Sequence, residues 1–463
     1  MSKKFRYCRF LPLVLFISFI VLNSRLIAEA QEIPPLEPFT KEDRVLILAP
    51  HPDDEDIGCG GVIQRALSSG AQVKVAYLTC GDNNIFSIVF YNKFIFPLKL
   101  LFLRKKDFVS LGRQREREAT AAMKILGMKE SDLIFLGYPD HGTDQMFISN
   151  WDHEKPYKSS FSGRSNVPYE ESAGYKKGFT ADNVIEDVKS VILSYKPTKI
   201  FVSSPSDVNG DHWAYYLYMM VSLVDLDKKV PQPKIYPYLV HAYGWPRPYN
   251  YHPNLALEPP EKFFGDSVSL VSWRQLKLTE EEIAKKHKAM LAYDTQVRVS
   301  DFYLEAFVRQ NELFGDFPHL ALKKLRSSAL AAGKAGEIFT SDMQWIGYAV
   351  VDDCLWVKFK KPKELKNRLF LWFGIFGYRK DTPFAQMPNI LVESKYNHFK
   401  IFNGTTDKYI YPQGTSLDFY PEWVIFKIPL SVLGNPEGFL FAFETPSKYL
   451  PIGCTAFRVI SIE

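Results

Sequence analysis

The sequence predicts an α/β fold, a mostly parallel sheet with flanking helices, followed by an all-β, sandwich-like region. Three observations carry this prediction. A β-forming run, Val45 to Ala49, is followed by a helical pattern and a second run, Val73 to Thr79, so strand, helix and strand alternate. The alternation recurs to about residue 241. Beyond residue 336, short alternating strands separated by turn residues take over.

Composition bounds the function. A chain of 463 residues exceeds one ordinary domain. Its 46% hydrophobic and 24% charged residues are those of a folded globular protein. The formal charge of +5 is small for this length and no Lys/Arg block occurs, which argues against a nucleic-acid partner. Lys3, Lys4, Arg6 and Arg9 precede the apolar run Phe10 to Leu22 and the small-residue site Ala28-Glu29-Ala30. Residues 1–30 therefore read as a signal peptide of an exported protein, periplasmic, secreted or in the cell envelope. An uncleaved membrane anchor is the alternative, although the run is short for a span. Cys8 precedes the apolar run and is not placed for lipidation. Four further cysteines are too few for a disulfide scaffold. Cys354 and Cys454 share a region and could pair, whereas Cys59 and Cys80 read as small buried packers.

In chain order, Val62 to Ser69 reads as a helix stopped by Gly70. Residues 85–103 are apolar and aromatic but interrupted by Asn92, Lys93, Pro97 and Lys99. They read as an irregular helix packed on the body, with a lid or a membrane-surface contact as the alternative. Arg113 to Leu126 is a helix with Ala119, Ala122, Met123 and Leu126 on its apolar side, and Arg115 can meet Glu118. The strand Leu133–Tyr138 leads into Pro139-Asp140-His141-Gly142 and a long excursion, residues 143–178, of the sort that shapes a pocket rim. Thr180 caps a helix to about Tyr195, and Lys199–Ser203 is the next strand. A strand Ile235–His241 precedes a turn containing Trp245. Thr279 to Glu312 reads as a charged, solvated helical face closing a first domain, residues 31–325. An accessory β domain, 336–463, holds strands at Leu355–Phe359, Leu369–Phe373, Trp423–Lys427 and Phe439–Phe443.

Chemistry concentrates where strands end. His51 and Asp54 offer an imidazole and a hard carboxylate, a pairing that suits Zn²⁺ in a site with an open position. Asp53 lies between them and can face the same cleft without being a ligand. A parallel sheet places its strand ends on one edge, which brings His212 towards His51 and Asp54.

The stretch Ala49-Pro50-His51-Pro52-Asp53-Asp54-Glu55 with Ile57-Gly58-Cys59-Gly60-Gly61 resembles the signature of the LmbE-like (PIG-L) family of zinc-dependent N-deacetylases. Further matches follow in order: Thr79-Cys80-Gly81-Asp82, the Arg115-x-x-Glu118 helix ending in Leu126-Gly127, Phe135-Leu136-Gly137-Tyr138-Pro139-Asp140, and Asn209-Gly210-Asp211-His212. Together they cover roughly residues 44–250. The resemblance implies a Rossmann-like domain that removes acetyl from N-acetylglucosamine-type amines. It makes His51, Asp54 and His212 the zinc ligands and Asp53 the general base, and it places Arg115 and Asp140 on substrate hydroxyls.

One departure stands out. Better-known members often carry a His three residues before the last ligand, where this chain has Asn209. An Asn amide can donate to an oxyanion but cannot titrate. The leaving amine's proton then comes from Asp53, or from His241 where that side chain reaches the cleft. Asp211 is expected to orient a neighbouring group. Trp245 is a sugar-stacking candidate with packing as the equal alternative, and His141 and His153 read as loop histidines. The expectation is an exported, zinc-dependent N-deacetylase of an N-acetylated amino sugar in a glycan or glycoconjugate. The alternatives are an envelope glycan-binding protein with a vestigial metal site, and a hydrolase of another amide or ester. Another divalent ion, such as Fe²⁺, also fits N/O ligands. The β module carries no motif; its Trp and Tyr content suits a carbohydrate-binding or a purely structural sandwich.

Overall fold

The computed structural model describes residues 33–91, 103–151, 154–260, 271–327, 338–343, 346–360, 370–395, 398–444 and 457–463. The expected signal segment, Cys8, His153, Cys454 and residues 92–102 of the apolar insert lie outside them.

The first domain is a seven-stranded sheet in the order β3-β2-β1-β4-β5-β7-β6. Its parallel strands are β1 (Arg44–Ala49), β2 (Gln72–Thr79), β3 (Leu133–Tyr138), β4 (Lys199–Ser203) and β5 (Lys234–Tyr238). The strands β6 (Ser272–Lys277) and β7 (Asn311–Asp316) run antiparallel to each other, and β7 pairs antiparallel with β5. The helices are α1 (Asp54–Ser68), α2 (Ile85–Tyr91), α3 (Lys105–Leu126), α4 (Thr143–Ser149), α5 (Ala181–Tyr195), α6 (Gly210–Asp225), α7 (Glu280–Met290) and α8 (Asp294–Leu304). Strand order reverses between β1 and β4, the crevice in which sheets of this kind bind ligands. Among the described residues no helix is long and apolar enough to cross a membrane.

The pleat of β1 divides the core. Val45, Ile47 and Ala49 pack with α1 and α3 on one face, while Leu46 and Leu48 pack with α5 and α6 on the other. The buried, near-continuous apolar runs of these strands follow from helices covering both faces. Thr180 caps α5, its hydroxyl accepting from the Asn183 amide at 3.4 Å.

Several elements differ from the sequence expectation. The helix after β1 starts at Asp54 rather than Val62, running straight through Gly58, Gly60 and Gly61. These glycines are packing positions, not breaks: a Cβ on Gly58 would lie 2.4 Å from the Tyr238 ring. The stretch expected as one solvated helical face is α7, α8 and then β7. Lys286 on α7 is buried, donating to Glu312 at 2.6 Å and to the Ile57 carbonyl at 2.8 Å. Within the expected rim loop, Thr143–Ser149 is helical because Met146 and Phe147 turn inward.

The second region packs two antiparallel-rich sheets over a core that includes Phe373, Phe426 and Phe441. Its sheets already take strands at Leu320–Leu322 and Lys324–Leu325, inside the range expected for the first domain. Leu320 and Leu322 are buried in the sandwich core, so apolar burial sets that start rather than the small, basic segment that follows. The two regions share a seam. Phe147 of α4 meets Phe376 edge-on at 5.3 Å, Trp151 meets Phe384 at 5.2 Å, and Phe457 packs on Trp213 at 5.0 Å.

Candidate metal centre and catalytic cleft

The turn leaving β1 carries His51 and Asp53, with Asp54 opening α1, and the turn leaving β4 carries Asp207 and Asn209, with Asp211 and His212 in the first turn of α6. Because β1 and β4 are parallel neighbours, both turns open on the same sheet edge. His51 Nδ1 lies 3.1 Å from Asp54 Oδ2, and His212 Nε2 lies 3.2 Å from each of those two atoms. All three residues are buried. Burial opposes charge on the imidazoles, yet Asp140, Asp211 and Asp54 hold the His51 pKa well above its ordinary value, and Asp207 and Asp54 lift His212 to about 10. Two protonated rings cannot comfortably face one another at 3.2 Å. Two ring nitrogens and a carboxylate oxygen converging on one point are instead a donor set that could hold a divalent ion.

Each ring is held from behind. His212 Nδ1 lies 3.1 Å from Asp207 Oδ2, and that carboxylate also accepts the Val240 and His241 amides at 3.1 and 2.8 Å and the Asn209 amide at 2.9 Å. His51 Nε2 faces Asp211 Oδ2 and Asp140 Oδ1, both at 3.2 Å. Asp211 further accepts the amides of His141, Gly142 and Thr143, so it orients both a ring and the loop after β3.

Asp53 stands beside this triangle with backbone φ of 130°, a region unfavourable to any residue but glycine. Burial pushes its carboxyl up to about 7 despite the Arg115 guanidinium, which donates to Asp53 Oδ2 at 3.1 Å. Arg115 also donates to the Pro52 and Gly81 carbonyls at 2.6 and 3.0 Å. Nη1 and Nη2 are thus directed at the chain itself, and the expected partner Glu118 instead accepts from Gln114 and Thr295.

A cavity of about 570 Å³ opens over these groups. His51, Asp53, Asp54, Arg115, Asp140, Asn209 and His241 line it. Asn209 Oδ1 accepts the Asp211 amide at 2.9 Å as the α6 cap, so its amide group is the part left to face a ligand. His241 packs edge-on against His212 at 4.7 Å, with Nδ1 3.4 Å from the Tyr303 hydroxyl. Burial, with opposing help from Asp207, lowers its pKa to about 4, so this imidazole is neutral near pH 7. His141 lines the cavity too, its side chain exposed as the loop position predicts.

Trp245 does not line the cavity. Its ring is buried against Phe307 at 5.3 Å and its Nε1 donates to the Glu258 carbonyl at 2.7 Å, which is a packing role rather than sugar stacking. Sequence reasoning passed over Asp207, Asn83, Asn84, Gln296, Ser300 and Tyr303. Asp207 sits in the same acidic run as Asp211 and was visible there. Gln296, Ser300 and Tyr303 come from α8, far along the chain, and carry no local signal.

Residues 46–222 match the family model described as PIG-L: GlcNAc-PI de-N-acetylase. Residues 46–222 form a PIG-L (LmbE-like) domain. Among curated relatives, the chain is 35% identical over 155 residues to a 1D-myo-inositol 2-acetamido-2-deoxy-alpha-D-glucopyranoside deacetylase of Streptomyces avermitilis, covering 33% of this chain and 46% of that protein. It is 32% identical over 117 residues to a protein of the same description from Geodermatophilus obscurus, covering 25% and 36%. The chain thus spans less than half the length of these relatives. Among solved structures, N,N'-diacetylchitobiose deacetylase from Pyrococcus horikoshii is 17% identical, with 64% of this chain and 91% of that one covered and a TM-score of 0.36.

Proposed function

We propose that this PIG-L protein is a metal-dependent N-deacetylase of an N-acetylated amino sugar of the GlcNAc type, exported and acting on a glycan or glycoconjugate. The observation that carries the reading is the triangle of His51 Nδ1, Asp54 Oδ2 and His212 Nε2 with the Asp53 carboxylate beside it in an open cavity. Zn²⁺ held by those three residues would supply Lewis acidity and lower the pKa of a water towards neutrality. The family and the deacetylase relatives support this chemistry, and the export part rests on the character of residues 1–30.

The chain's own groups account for the proton traffic. Asp53 takes a proton from the attacking water as its oxygen bonds the amide carbonyl carbon. The Asn209 amide and the neutral His241 imidazole lie on the cavity wall, where each can donate to the oxyanion that develops. The C–N bond then breaks, Asp53 returns its proton to the departing amine, and acetate is left. Asp140 and His141 line the wall for substrate hydroxyls.

Full-length protein purified with its metal content quantified should release acetate from N-acetylglucosamine-containing substrates. Chelation should abolish the reaction and Zn²⁺ should restore it. His212→Ala should lose both metal and turnover. Zinc-replete protein that releases no acetate from any such substrate would sink the reading, and finding the protein in the cytosol with residues 1–30 intact would refute export.

A further inference from the structure

Asp53 adopts a backbone conformation, with φ of 130°, that is costly for a residue other than glycine. Such a conformation persists only where the surroundings over-determine it. The brace is Glu55. Its Oε2 accepts the Asp53 backbone amide at 2.9 Å, while its Oε1 accepts the hydroxyls of Tyr77, at 2.8 Å, and of Tyr293. Glu55, Tyr77 and Tyr293 are all fully buried, and a buried carboxyl needs donors to stay in place.

Tyr77 belongs to β2, inside the PIG-L stretch. Tyr293 does not. It sits in the joint between α7 and α8, beyond residue 222, and is itself fixed there: the Val297 amide donates to its carbonyl at 2.9 Å, and Thr295 binds Glu118 through its amide at 3.2 Å and its hydroxyl at 2.7 Å. The next residue, Gln296, lines the cavity. A helix pair outside the family match therefore reaches under the floor of the site.

We propose that Tyr293 is a positioning residue: through Glu55 it holds the Asp53 backbone so that the Asp53 carboxylate faces the cavity. The inference rests on the reading of Asp53 as general base. Removing the hydroxyl leaves Glu55 Oε1 with Tyr77 alone, lets the carboxyl turn, and frees the Asp53 amide. A base displaced by a fraction of its reach loses rate while substrate binding, made elsewhere on the wall, is retained.

Tyr293→Phe keeps the ring and its packing, so it tests the hydroxyl. In full-length, metal-loaded protein, kcat should fall about tenfold to a hundredfold, with KM within about twofold and bound metal unchanged. Hydrogen exchange supplies a readout independent of turnover: the Asp53 amide should exchange about tenfold faster in Tyr293→Phe, with or without metal, while amides of β4 and α5 keep their rates. Tyr77→Phe should reproduce both effects. Exchange at Asp53 that Tyr293→Phe leaves unchanged overturns the inference whatever the activity, as does a loss confined to KM or metal content. Wild-type protein that turns over no substrate yet shows the exchange effect would overturn the assignment of the base while keeping the brace.

Discussion

The two halves of this protein bury opposite things. In the α/β domain, His51, Asp53, Asp54, Glu55, Asp56, Arg115, Asp140, Asp207, Asp211 and His212 are withdrawn from water around one sheet edge. In the sandwich, the buried polar side chains among the described residues from 330 onward are Asn389, Ser394 and Arg458, and the interior is built from residues such as Phe373, Phe426 and Phe441. Burying charge is costly and a strained backbone adds to the cost. The α/β domain tolerates both where its cavity lies; the sandwich, free of that demand, packs apolar rings. The difference teaches where function should be lost without stability, and stability without function.

The largest effect expected is at the edge. Asp53→Asn should lower kcat by about 10²–10⁴-fold while the metal stays bound and the thermal transition holds or rises. A variant with near wild-type turnover would remove the base from the mechanism. The sandwich should behave in reverse. Phe373→Ala, in the centre of its core, should cost about 3–5 kcal/mol in denaturant unfolding, with kcat per folded molecule unchanged. If activity fell before stability did, the sandwich would be reaching the site through the seam at Phe147 and Phe376.

How much of this was legible in the sequence follows from range. His51, Asp53 and Asp54 stand within one turn of chain, and a parallel sheet places His212 on their edge whatever lies between, so the triangle could be read from strand patterns. That β1 to β5 exist and run parallel followed from the same alternation, whereas their lateral order did not. Tyr293, Gln296 and Tyr303 could not be read, because their use depends on where α8 docks, and α8 looks like any charged surface helix. Trp245 left stacking and packing equally open for a related reason: a Trp in a Pro-rich turn beside a cleft suits either, and only the tertiary fold shows Phe307 and the Glu258 carbonyl taking it inward. Gly58, Gly60 and Gly61 looked like a late helix start because propensity penalises them, whereas the close approach of Tyr238 requires at least the first. The sandwich start was placed late because its first strand, Leu320–Leu322, is too short to signal by itself.

The smallest effect expected concerns a buried charge at the other end of the strands. Asp43, just before β1, meets Lys199 at the start of β4 at 2.5 Å and accepts the Thr198 hydroxyl and the Thr40 amide, each at 2.9 Å. Burial alone would raise its pKa, but Lys199 and these hydrogen bonds outweigh it and hold the carboxyl below its ordinary 3.8. A carboxyl lowered on folding contributes stability that is present above the unfolded value and lost as pH falls through the folded one. Asp43→Asn should therefore cost about 2 kcal/mol at pH 7, between the worth of exposed and fully buried pairs, and progressively less below about pH 4. Turnover at pH 7 should not change, since the pair sits at the end of β1 away from His51. Urea unfolding of both proteins at pH 7 and pH 3 decides it. A gap that is the same at both values would mean that the Asp43 charge contributes nothing.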